Sequence, residues 1–224
     1  MHGFKWLIVL LILSSGTPTA QPPETRLLRC KYVDSRVTID GRLTERCWRD
    51  AERATGFWLL NRKGRARKQT ECMVAYDSNN LYIAFICYEP HPERIRTNCF
   101  QHDGPVWRDD CVEVYMDINH DHRTYYHLIT NTAGTRYDEI GYKRPASWNP
   151  EWRTAAQIYP DFWTVEIALP FHAMQITAPL PGTIWGFNVD RQEYQFYEKS
   201  SWCETYRLFH EPKNFGHLQF LPFF

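Results

Sequence analysis

Trp107-Arg108-Asp109-Asp110-Cys111-Val112-Glu113-Val114-Tyr115-Met116-Asp117 is the stretch on which the fold turns. Its second half alternates. Cys111, Glu113, Tyr115 and Asp117 share one side, and Val112, Val114 and Met116 share the other. A period of two is that of a β-strand with one apolar face against a core. The other face carries a carboxylate in mid-strand, where β-propensity alone does not favour one. A tryptophan and a group of acids at the strand entrance mark this segment as the candidate site.

Outward from this strand the same pattern recurs. Glu71–Tyr76 and Leu81–Tyr88 alternate, and Asp77-Ser78-Asn79-Asn80 between them is all turn-forming, which predicts a hairpin. Val37–Gly41 reads as a short strand ending in a turn. Thr44 is placed to cap a helix over Glu45–Ala54, with Cys47, Trp48 and Ala51 at helical spacing and Trp48 plugging one end of the core. Phe57–Leu60, Thr124–Asn131, Arg136–Tyr142, a segment from Trp152 through Tyr159, Phe162–Leu169, Ile184–Arg191 and Phe215–Phe220 read as strands. Pro92–Ile95 and Pro170–Met174 read as short helical turns. Roughly ten short strands with turn signals every ~8–12 residues predict an all-β sandwich.

The chain has 224 residues. Lys5, the apolar run Trp6–Leu13 and the small residues Ser14–Ala20 have the layout of a secretory signal, too short to span a bilayer. Cleavage after Ala20 is expected, with Gly16 as the alternative. Residues 21–224 are then one domain, secreted or periplasmic, with no later run apolar enough to span a membrane. Charge is balanced, with 26 Lys and Arg against 26 Asp and Glu, which argues against nucleic-acid binding. The basic run Arg62–Lys68 reads as a solvated loop. The 9 Trp, 13 Tyr and 13 Phe suit both a packed sandwich and flat platforms for sugars. Seven cysteines show no CxxC spacing. Cys47, Cys72, Cys87 and Cys111 read mostly as small buried hydrophobes, with one or two bridges left open.

Three constellations carry chemistry. Trp107, Asp109, Asp110 and Glu113 join an indole face to carboxylates, the pairing that stacks on a sugar ring and bonds its hydroxyls. Asp117-Ile118-Asn119-His120-Asp121 spaces oxygen donors at alternate positions, as calcium requires, without the glycine and final glutamate of an EF-hand. The histidines form no HExxH, although His120 and His122 share a loop that can meet a metal. No GxSxG, P-loop or GxGxxG motif occurs.

Taken in order, these segments resemble the family 9 carbohydrate-binding modules. The resemblance rests on Ile39-Asp40-Gly41-Arg42-Leu43-Thr44-Glu45 with Trp48, on Val74–Asp77 with Asn80–Phe85, and on Asp110–Asp117. It continues through Phe162–Phe171, Trp185-Gly186-Phe187-Asn188 and Glu211–Leu218, so that it covers roughly residues 35–220. It implies a two-sheet antiparallel, jelly-roll-like β-sandwich with short peripheral helices. It also implies a non-catalytic role in polysaccharide breakdown, with an oligo- or polysaccharide as ligand, a separate glycoside hydrolase as partner and structural calcium. The family's sugar-binding residues are two tryptophans, a glutamate and an arginine. By resemblance, Trp107 is the first tryptophan and Glu113 the glutamate. The second tryptophan falls at Phe209, with Trp202 as a nearby substitute, and the arginine falls at Ile129.

The expected carbohydrate site is therefore Trp107, Asp110, Glu113, Trp202 and Phe209, and the expected metal loop is Asp117, Asn119 and Asp121. Two rival readings follow. One is a glycoside hydrolase or accessory subunit using Asp110 and Glu113. The other is a haem-binding electron-transfer sandwich with Met116 and His127 as ligands.

Overall fold

The computed structural model describes residues 25–62, 64–141 and 148–223. The expected signal segment and Tyr142 lie outside the described residues. Thirteen strands run through the described residues: β1 (Leu27–Tyr32), β2 (Arg53–Ala54), β3 (Trp58–Leu59), β4 (Thr70–Tyr76), β5 (Asn80–Tyr88), β6 (Cys111–Asp117), β7 (Tyr126–Asn131), β8 (Arg136–Ile140), β9 (Arg153–Ile158), β10 (Phe162–Pro170), β11 (Ile184–Glu193), β12 (Glu198–Ser201) and β13 (Gly216–Phe220). The one described α-helix, α1, is short (Arg46–Asp50). The expected hairpin is β4–β5, with its turn held by the Asp77 carboxylate, which accepts the N–H groups of Asn79 and Asn80.

The main path of strands is β8-β7-β6-β11-β13-β1-β4-β5-β10-β9. The all-β expectation holds, but two separate antiparallel sheets do not form. β1 joins the halves. Leu27–Cys30 pair in parallel with His217–Phe220, and then Lys31 and Tyr32 pair in parallel with Ala75 and Tyr76. The result is a single, nearly closed, barrel-like sheet. Alternation along a strand reports which face is buried, not which neighbour it takes or in which direction.

Val112, Val114 and Met116 of β6 enter one core with Val165, Ile167 and Leu169 of β10, Phe187 and Val189 of β11, and Leu218 and Phe220 of β13. Each such fully buried side chain contributes roughly 1.5–3 kcal/mol. Trp48 lies outside this core. It packs with Met73, Ala75, Tyr82 and Ala84 on the opposite face of β4–β5. All seven cysteines are unpaired; all but the half-buried Cys99 are fully buried, so the bridge alternative is not realised.

Two local expectations fail for one reason. Asp40 and Gly41 donate their backbone N–H groups to Oε2 of Glu166, at 3.0 and 2.8 Å, so they do not join a ladder and Val37–Gly41 is not a strand. The Trp48 indole N–H donates to Oε1 of the same carboxylate at 2.8 Å. The helix shrinks to one turn capped at Glu45 without a side-chain cap bond, so Thr44 is not its cap. The basic run also departs from a fully solvated loop. Its last residue, Lys68, is buried and donates to Glu89, Glu193 and Gln195.

Candidate functional site

β6, β7 and β8 lie side by side, and their register writes two rows across the sheet. Glu113 stands opposite Ile129, and Ile129 opposite Tyr137. In the next row Tyr115 stands opposite His127, and His127 opposite Glu139. Side chains alternate across a strand, so both rows face away from Val112, Val114 and Met116. With the inner face given to the core, the outer face floors a cleft of about 320 Å³.

Separate segments wall this cleft. Trp107 comes from a 3-10 turn, Val106–Arg108, that leads into β6; Gln192 comes from β11 and Lys199 from β12. Leu208, Phe209 and His210 come from the loop between β12 and β13. Glu211 pins that loop, its carboxylate accepting the N–H groups of Tyr206 and Arg207 at 2.8 Å each. Trp107 is 39% exposed and stands edge-on to Tyr137 with ring centroids 5.3 Å apart. Phe209 is 6% exposed and packs with Tyr115, Tyr125 and Phe215.

The floor is a connected polar network. Oε2 of Glu113 accepts from the Tyr115 hydroxyl at 2.6 Å and lies 2.9 Å from Nε2 of His127. Oε1 of Glu113 accepts from the Gln192 amide at 2.6 Å. Nδ1 of His127 lies 3.1 Å from Oε1 of Glu139, whose other oxygen accepts from the Tyr137 hydroxyl at 2.9 Å. Burial opposes the charge on Glu113, but the bonds from His127, Tyr115 and Gln192 outweigh it and hold its carboxyl down at about 2. Burial likewise opposes the charge on His127, and the carboxylates of Glu113 and Glu139 outweigh it and raise the imidazole above its ordinary value. The two carboxylates thus favour the protonated form of His127 despite its burial. Burial, followed by the neighbouring His127 charge, lowers His210.

The expected residues divide. Trp107, Glu113 and Phe209 come together here with Ile129, the position where the resemblance leads one to look for an arginine. Asp110 and Trp202 stand outside the cleft. Asp110 is buried and accepts the N–H groups of Arg96 and Tyr194, and burial raises it to about 6. Trp202 is 4% exposed and belongs to the main core, 6.3 Å from Phe187 between ring centroids. A larger depression of about 540 Å³, lined in part by Arg26, Trp58, Arg65 and Lys213, takes in none of the expected site residues.

Asp117 and Asp121 hold a turn. The Asp117 carboxylate accepts the N–H groups of Asp121 and His122, and the Asp121 carboxylate accepts those of Arg123 and Thr124. Asn119 is exposed. The haem pairing is excluded by register. Met116 lies in the main core on the inner face, and His127 lies on the outer face.

Sequence reasoning missed His127 and Gln192 as partners of Glu113, and Tyr137, Glu139 and His210 as residues of the same cleft. The alternation of β7 and β8 put His127 with Ile129 and Tyr137 with Glu139. The cross-strand register that brings them to Glu113 was not readable.

The fold is an all-β, nearly closed, barrel-like sheet with a cleft on its outer face. Residues 39–221 match the family described as Carbohydrate family 9 binding domain-like, and the chain belongs to that family. Its fold is that of a family 9 carbohydrate-binding module from Caldicellulosiruptor kristjanssonii solved with cellotriose. That likeness has a TM-score of 0.66 at 17% identity over 88% of this chain and 94% of that one. A family 9 module from the same organism solved with glucose gives a TM-score of 0.63 at 17% identity, over 87% of this chain and 95% of that one. Endo-1,4-beta-xylanase A of Thermoanaerobacterium saccharolyticum is 24% identical over 152 residues, which is 67% of this chain. The aligned part of the chain spans only 12% of that xylanase.

Proposed function

We propose that this chain is a non-catalytic carbohydrate-binding module whose ligand enters the cleft over Glu113. The observation that carries this reading is the meeting of Trp107 and Glu113, from one stretch, with Phe209, from the distant loop before β13, at one cleft. Trp107 offers a half-exposed indole face for the apolar side of a sugar ring, and Phe209 offers a firmer, mostly buried wall. Glu113, Glu139, Gln192 and Lys199 supply acceptors and donors for hydroxyl groups. The cleft lies at the small end of the ~300–1,000 Å³ range of ligand sites, which favours a chain end or short oligosaccharide over a long strand.

The same chemistry argues against hydrolysis. A glycosidase needs one carboxyl that holds a proton at working pH beside a second that is ionised. Burial works against ionisation at both Glu113 and Glu139, yet their hydrogen bonds, His127's foremost, keep both below the ordinary range, which does not suit a general acid. Asp110, Glu166 and Asp190, the acids that burial raises, do not line the cleft.

We read the chain as exported, with Met1–Ala20 as its signal, and as working beside a separate glycoside hydrolase. Calorimetric titration with glucose, cellotriose and xylo-oligosaccharides tests the binding role. Binding that Trp107→Ala abolishes supports it, and a protein that takes up none of these sugars, or whose affinity ignores that change, overturns it.

A further inference from the structure

We propose that His127, Glu139 and His210 form a binding site for a divalent transition-metal ion, zinc foremost, on the cleft floor. One ligand atom from each lies within 4.8 Å of the other two. The three come from β7, β8 and the loop before β13, so the fold rather than local sequence assembles them.

Each ligand is held by an outer partner. Nε2 of His127 faces Glu113 at 2.9 Å, which presents Nδ1 toward Glu139. The Tyr137 hydroxyl donates to Glu139 at 2.9 Å, and the Tyr125 hydroxyl lies 2.8 Å from Nδ1 of His210. The Tyr115 ring stacks on His127 with centroids 4.1 Å apart and meets His210 edge-on at 5.3 Å. Such partners fix the orientation and basicity of metal-binding side chains.

The donor chemistry selects the ion. Two imidazoles and one carboxylate suit zinc, copper or nickel, whereas calcium takes oxygen ligands. The charges also balance. Glu113 and Glu139 bring two negative charges to a doubly charged cation. The cleft side stays open to water or a ligand oxygen. This site stands whether or not the cleft binds sugar. The other convergent groups are weaker. Glu89, Asp110 and Glu193 are all acids, two of them already paired with Lys68, and among His102, Asp103 and Asp138 the last already accepts the Trp152 indole N–H.

The test is zinc titration of the EDTA-stripped full chain by calorimetry, without sugar. One tight site is expected, weakened at least about 10-fold in Glu139→Gln and in His210→Ala, and by a smaller factor in Tyr125→Phe. His102→Ala and His120→Ala should leave it unchanged. Unaltered affinity in both ligand variants, or loss of the site in either control, overturns the proposal. Where a ligand variant fails to fold, X-ray absorption of the zinc-loaded wild type decides. Two imidazoles with no sulfur support the site, and a thiolate ligand overturns it.

Discussion

Nε2 of His127 lies 2.9 Å from Oε2 of Glu113, and both residues are buried. With Glu139 on its other nitrogen, the His127 ring links two carboxylates on the sheet surface. Removing one member of such a group leaves the rest uncompensated. His127→Ala should therefore destabilise the protein by about 3–5 kcal/mol, and His127→Gln, which keeps a donor, by less. Urea unfolding checks this. A loss under ~1 kcal/mol in His127→Ala would mean that the network contributes nothing beyond its burial.

Trp107 and Trp202 should behave as opposites. Trp202→Ala empties part of the core and should cost about 3–5 kcal/mol while sparing ligand affinity in the fraction that stays folded. Trp107→Ala should shift the unfolding midpoint little and lower sugar affinity about 10-fold or more. Thermal melts paired with calorimetry separate the two. Equal stability losses would remove the distinction between platform and core.

Glu166 should prove to be a structural anchor. Its carboxylate accepts from the backbone N–H groups of Asp40 and Gly41 and from the Trp48 indole. Glu166→Ala leaves these donors unpaired and should cost about 2–4 kcal/mol. Its effect should appear first as faster amide exchange at Asp40 and Gly41. Retained protection there would show that the carboxylate is not what orders the segment.

Asp110 should give the stability curve an acid-side slope. Burial is the main cause of its shift from the usual 3.8 to about 6. The folded state therefore binds this proton more readily than the unfolded chain does. Its charged form weakens the fold above about pH 6, and the penalty is relieved as pH falls toward 4. The gap corresponds to at most about 3 kcal/mol. Wild type should gain stability over Asp110→Asn between pH 7 and pH 4, read from denaturant midpoints at each pH. A constant difference across that range would contradict the shift.

Much of the strand content was legible because a period of two has one cause, a core on one side. β6 is the clearest example, with Val112, Val114 and Met116 inside and Glu113 outside. β1 was not read, although Leu28 and Cys30 alternate with Arg29 and Lys31, because four alternating positions among charged neighbours are a weak signal. The helix at Glu45–Ala54 was overread. Its spacing was helical, but Glu166, more than a hundred residues away, settled the conformation of the segment before it.

The sequence by itself determined an all-β chain, its hairpin and the family resemblance carried by Trp107 and Glu113, because alternation, turn chemistry and motif order are local properties. Only the tertiary structure decided that β1 links two halves through parallel pairs, that Asp110 and Trp202 turn away from the cleft, and that His127 lies between Glu113 and Glu139. Those outcomes depend on which strands become neighbours and in what register, and pairing between distant segments leaves no trace in the spacing of either one.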